Sequence, residues 1–104
     1  MARARLEVFE RRLVDLAAFA RALSHPARIR ILRLLAGGRE LCCMELVAAL
    51  PLSQPTCSRH INELVKAGLV KARARGRHVF FRLDESAMRR FCESMNQTLH
   101  AEKG

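Results

Sequence analysis

Apolar residues recur at intervals of three and four over most of this chain, and at intervals of two over one short stretch, so the pattern divides into helices and a hairpin. Leu13, Leu16, Ala17, Ala20 and Leu23 mark one face of a first helix over 12–24. Ser24, His25 and Pro26 interrupt it. A serine followed closely by proline suits a new helix start, because proline's missing N–H is harmless in the first turn. The second helix carries Ile29, Leu32 and Leu35, widened by Ile31 and Leu34, and closes at Gly37 and Gly38, glycine being tolerant of the left-handed conformation that ends helices. A third helix is expected over 40–50, stopped by Pro51. Ser53 then suits the N-cap of a fourth, in which Cys57, His60, Ile61 and Leu64 form the inward stripe. The opposite face presents Gln54, Thr56, Ser58, Arg59, Asn62 and Lys66, and Gly68 ends the helix.

Beyond Gly68 the period becomes two. Val70, Ala72 and Ala74 alternate with Lys71, Arg73 and Arg75; after Gly76, Val79, Phe81 and Leu83 alternate with Phe80 and Arg82. That is a two-stranded antiparallel hairpin over 69–83 with a glycine in its turn and a basic rim. A last helix over 85–100 carries Met88, Phe91, Cys92, Met95 and Leu99 on one stripe. The expected fold is mainly α with a small antiparallel β-hairpin (α+β): a winged helix-turn-helix, with 40–67 as the helix-turn-helix and 69–83 as the wing. With 104 residues the chain makes one domain, 1–104, whose core is modest for its surface. The amphipathic helices at its ends, 12–24 and 85–100, are the expected homodimer interface.

Charge sharpens this picture. The chain holds 19 Lys and Arg against 10 Asp and Glu, a net +9. Between Arg59 and Arg82 the basic residues Arg59, Lys66, Lys71, Arg73, Arg75, Arg77 and Arg82 face the single acidic Glu63. Clustering of that kind is the footprint of phosphate contacts. A membrane surface is the poorer partner, since no basic helix with bulky aromatics accompanies the charge. The charged start MARARLEVFERR lacks the apolar core of a secretory signal, and no segment approaches a membrane span, so a cytoplasmic protein is expected. Its four cysteines then read as free thiols or metal ligands rather than a disulfide framework. No glycine-rich phosphate loop, carboxylate pair or nucleophile with a base appears, which argues against an enzyme.

A polar-faced second helix followed by a basic hairpin can read double-stranded DNA. The helix suits the major groove, where Arg59 fits guanine, Asn62 or Gln54 fits adenine, and Thr56 and Ser58 fit phosphates or bases. Arg73, Arg75 and Arg77 would lie along the neighbouring backbone or in the minor groove, with Lys66 on the same polar face. The segments ALSHPARIRILRLLAGG, ELCCMELVAALPLSQPTCSRHINELVKAGLV and KARARGRHVFFRL resemble the ArsR/SmtB family of metal-responsive winged-helix repressors over roughly residues 15 to 100. The resemblance implies a homodimer that binds an imperfect palindrome in a promoter and releases it when a metal or metalloid binds, with no cofactor needed for DNA binding.

It also bears on the thiols. In the family an ELCxC pattern gives thiolates to arsenite, antimonite, cadmium or lead, soft ions choosing soft sulfur. Cys42 matches its first position, but Met44 stands at the second, and Cys43 lies between them. Neighbours on a helix point about 100° apart, so Cys42 and Cys43 share an ion only where the helix start is distorted or the pair lies before it. The candidate metal ligands are Cys42 and Cys43, with Cys57 as the third; Cys57 and Cys92 both also read as core residues. The family's second site, on the last helix, keeps Asp84 here but has Ser86 and Asn96 where ligands are expected, so no zinc site is expected there. His25, His60 and His78 read as a turn residue, a helix-packing or phosphate-contacting residue and a wing residue. Three functions stay open: a repressor induced by a thiophilic ion with arsenite or antimonite favoured, a thiol redox-responsive repressor without metal, and a constitutive DNA-binding protein with structural cysteines.

Overall fold

The computed structural model describes residues 9–100. Its elements are α1 (Arg11–Ala22), α2 (Pro26–Leu35), β1 (Glu40–Cys42), α3 (Cys43–Ala48), α4 (Gln54–Lys66), β2 (Val70–Arg75), β3 (His78–Leu83) and α5 (Glu85–His100). The fold is the expected winged helix-turn-helix: α3 and α4 are the helix-turn-helix and β2–β3 is the wing. The core is built where α2, α3 and α4 converge on the sheet, and Ile31, Leu35, Leu46, Cys57, Ile61, Leu64, Leu69 and Val70 are its fully buried side chains. No described helix is long and apolar enough to cross a membrane.

Two local expectations change. The start of α2 is capped by His25, whose Nδ1 accepts the Ala27 N–H at 3.0 Å, while the Ser24 hydroxyl turns back to donate to the Arg21 carbonyl. Pro26 takes the first helical position, as its missing N–H allows. The helix expected over 40–50 is shorter and preceded by a strand. Glu40, Leu41 and Cys42 pair antiparallel with Arg82, Phe81 and Phe80, making the two-stranded hairpin a three-stranded sheet of order β1-β3-β2. The physical reason is that β3 would otherwise expose an unpaired edge beside a segment whose Leu41 can join Phe81 on the core side. Helix α3 then starts abruptly: the Glu45 carboxylate accepts the Cys42 N–H at 2.9 Å, supplying one of the bonds a helix start lacks.

Helix α4 begins as its sequence dictates. Ser53 accepts the Thr56 N–H, Pro55 sits in the first turn, and Gly68 ends the helix with φ +82°. The last helix packs on α1 through Phe19 and Phe91, ring centroids 5.4 Å apart. Cys92, expected on the apolar stripe, is exposed in the single chain, as are Leu13 and Leu99.

His60 is the one buried polar or charged residue of the described core. Its Nδ1 accepts a hydrogen bond from Arg28 Nε at 3.1 Å, and its ring lies 4.3 Å from that of His25. An accepting Nδ1 carries no proton, so this geometry requires the neutral ring. Burial first, then electrostatic repulsion from the neighbouring His25, Arg28 and Arg59, hold its pKa below the ordinary 6.5. The folded chain therefore binds fewer protons here than the unfolded chain. The stability this gives is full above the ordinary value and is lost as pH falls through it. Urea midpoints are expected to drop between pH 7.5 and pH 5.5 in the native protein and to flatten over that window in His60→Gln; an equal drop in both would place the titration elsewhere. At pH 7.5, Leu64→Ala is expected to cost about 2–5 kcal/mol in the same measurement, as for other fully buried leucines.

Candidate DNA interface and thiol site

The outward face of α4 is the first half of the site. Arg59, Asn62 and Lys66 are exposed on the side opposite Cys57, His60, Ile61 and Leu64, as a 100° step per residue requires, and Gln54 is exposed at the first position of the helix, one turn before Cys57. Lys66 leans on Glu63 at 3.8 Å. Thr56 and Ser58 are half-buried, and both have partners inside the protein: the Ser53 hydroxyl donates to Thr56 Oγ1 at 3.0 Å, and Ser58 Oγ lies 3.6 Å from Cys43 Sγ. The side chains presented outward are therefore a guanidinium, two carboxamides and an ammonium, the last beside Glu63. These are groups that pair with guanine, adenine and phosphate in the major groove.

The wing is the second half. Gly76, with φ +63°, and Arg77 form the two-residue turn between the paired Arg75 and His78. The register sorts the sheet's faces, because residues directly opposite share a side and alternate residues return to it. Leu41, Val79, Phe81, Leu83, Val70, Ala72 and Ala74 lie on one face. Glu40, Cys42, Phe80, Arg82, Lys71, Arg73 and Arg75 lie on the other. On that polar face Arg73 donates to Glu40 Oε1 at 2.8 Å, Arg75 approaches the same oxygen at 3.9 Å, and the Arg75 guanidinium sits 4.3 Å from the centre of the Phe80 ring. Lys71 pairs with Asp84 at 3.6 Å, while another oxygen of Asp84 accepts the Ala87 N–H at the start of α5. Arg77 makes no ion pair among the described residues.

The thiols divide. Cys42 ends β1 on the polar face, in register with Phe80 and Arg73, and hydrogen bonds from its N–H and then its thiol hold the Glu45 carboxyl below the usual carboxylate range. Cys43 opens α3 and turns to α4, touching Ser58 and lying near Cys57. Cys57 is fully buried; burial pushes its thiol up, and the charge of nearby Cys43 adds to the effect. So Cys43 lies beside α4, against the core that holds Cys57, while Cys42 lies on the polar face of the sheet, and among the described residues no three His, Cys, Asp or Glu side chains gather as a metal site. Cys92 is remote from this cluster in sequence and on α5. Sequence reasoning missed Glu40 and Glu45, whose roles depend on a three-residue strand too short to show alternation.

Comparison with known proteins agrees with this architecture. Residues 23–73 match the family described as a helix-turn-helix domain. The chain is 36% identical over 90 residues to the biofilm growth-associated repressor of Agrobacterium fabrum, covering 86% of this chain and 76% of that one. It is 36% identical over 85 residues to the arsenical resistance operon repressor of Staphylococcus xylosus, covering 82% and 77%. Among solved structures, the homodimeric winged helix-turn-helix DNA-binding domain of a possible ArsR-family regulator from Mycobacterium bovis superposes with a TM-score of 0.68 at 28% identity, covering 88% of each chain. With a recognition helix, a basic wing and these relatives in common, the chain belongs to the ArsR family of winged helix-turn-helix transcriptional regulators, and is not an enzyme.

Proposed function

We propose that the protein is a homodimeric repressor that binds an imperfect palindrome in double-stranded DNA and lets go when a thiophilic metal or metalloid engages the thiols at the start of α3. Gln54, Arg59 and Asn62 read base edges; Thr56, Ser58 and Lys66 hold the backbone beside them. The wing, which carries Arg73, Arg75 and Arg77, lies against the neighbouring phosphates. DNA binding itself needs no cofactor, and the free thiols suit a reducing cytoplasm. The arsenical resistance repressor of Staphylococcus xylosus supports trivalent arsenic as the inducer.

One observation carries the sensing half: Cys43 Sγ lies 3.6 Å from Ser58 Oγ of the recognition helix, and Cys43 packs on the core that holds Cys57. A ligand held by Cys43 therefore acts on α4 through direct contact. Cys43 and Cys57 offer two thiols in the same part of the core. Cys42 can join them only if the first turn of α3 opens and the Glu45 cap breaks. An ion that demands three thiolates thus moves the helix on which α4 rests. A displacement of an ångström or so misaligns two recognition helices from half-sites about one turn of DNA apart. A coupling of about 1–3 kcal/mol is enough for such release. The nearness of Cys43 and Cys57 also favours a second reading, a reversible disulfide between them that responds to oxidants without metal.

Fluorescence anisotropy of the reduced protein on DNA from upstream of its own gene tests both. Stoichiometric arsenite is expected to release the native protein, while Cys43→Ser and Cys57→Ser keep DNA affinity within about threefold and no longer respond. Undiminished arsenite release from Cys43→Ser rejects this site. Release by diamide alone, with arsenite inert, selects the disulfide. Separately, Arg59→Ala is expected to lose about 1–3 kcal/mol of discrimination at one base pair of each half-site, read by competition with point-mutated operators.

A further inference from the structure

Glu40 is the acidic residue closest to the wing arginines, and its sign is wrong for DNA. Its side chain is 23% exposed and lies at the beginning of β1, with its carboxylate among the guanidinium groups of the wing. Arg73 makes a 2.8 Å hydrogen bond to it and Arg75 lies 3.9 Å from the same oxygen. The carboxylate cannot retreat with its strand, because Glu40, Leu41 and Cys42 are all paired to β3. A guanidinium offers the same fork of N–H groups to a carboxylate as to a phosphate, so one Arg73 fork cannot serve both fully.

We propose that Glu40 is a positioning residue of the DNA interface: it holds Arg73 off the phosphate backbone and leaves Arg77, at the wing tip, to make the contact. Arg75 is held less firmly by the carboxylate, but its stacking on Phe80 keeps it beside the sheet. The three wing arginines are therefore unequal. Among the described residues Arg77 makes no ion pair, Arg75 is restrained and Arg73 is occupied. This rests on the reading of the wing as a DNA-contacting element, and does not depend on what the thiols sense.

The test is the salt dependence of operator binding, followed by anisotropy from low to moderate potassium chloride. Each phosphate neutralised contributes about 0.9 to the slope of log affinity against log salt. In Glu40→Gln the slope is expected to steepen by about 0.9 as Arg73 moves to phosphate, and low-salt affinity to rise about three- to tenfold. Glu93→Gln, which makes the same charge change on α5, is expected to leave the slope unaltered. Arg73→Gln is expected to leave the slope of the otherwise native protein unchanged and to lower it by about 0.9 in the Glu40→Gln background. An unchanged or shallower slope in Glu40→Gln, or an immediate loss of slope in Arg73→Gln alone, overturns the proposal. The single Arg73→Gln variant is decisive even if Glu40→Gln fails to fold. Arg77→Gln separates the role of the wing from the role of Glu40. It is expected to lose about 0.9 of slope; no loss removes the wing from the backbone and the proposal with it, whereas a loss here with no effect at Glu40 overturns the proposal alone.

Discussion

Three antiparallel pairings, Glu40 with Arg82, Leu41 with Phe81 and Cys42 with Phe80, fix the arrangement of everything that faces a partner. They close the edge of β3, which would otherwise stand unpaired, and they stop the chain from continuing as helix until Cys43. From that single constraint the two adjacent cysteines diverge. Cys42 follows the strand's alternation onto the polar face of the sheet, while Cys43 follows the helical step toward α4. The same pairing holds Glu40 among the wing arginines. A strand of three residues thus joins the helix-turn-helix to the wing, two parts that the sequence presents as successive and separate.

Most of the architecture was legible because it depends on local rules. The periodic stripe of α4, its Ser53 cap, the glycine that ends it and the Gly76 turn between alternating strands all appear as the residues dictate. What the sequence concealed was long-range. The strand β1 is too short for its alternation to show, and ELCCMEL has the composition of a helix throughout, so only pairing with residues about forty positions away splits it. The cap of α2 lies one residue beyond the serine that its sequence suggests: histidine rarely competes with serine as a cap, yet here the Ser24 hydroxyl is taken by the Arg21 carbonyl. At the site, exposure of Arg59, Asn62 and Lys66 followed from the helical period, and that of Gln54 from its place at the start of the helix. The inward partners of Thr56 and Ser58, the separation of Cys42 from Cys43 and the carboxylate beside the wing did not, since each involves a contact between elements.

Charge illustrates the same limit. Seven basic residues against one acidic between Arg59 and Arg82 describe a strong field, and fields of that kind steer DNA toward a protein at long range. At contact distance the account differs, because acidic residues outside that stretch reach into it: Glu40 from β1 and Asp84 from just beyond β3. Approach and contact are therefore governed by different sets of side chains.

Arg28 shows how few atoms separate the ends of this molecule. Its guanidinium donates to His60 on α4 and, at 3.3 and 3.4 Å, to the carbonyls of Arg21 and Ala22 at the end of α1, while its own backbone belongs to α2. One planar group thus cross-braces three helices. Because it is rigid and its donors point in fixed directions, the reading helix cannot rotate appreciably about its own axis without pulling on the terminal helix. The fold thereby behaves less like a hinge carrying a loose reading head than like a truss, in which a small displacement at one joint is borne by every member.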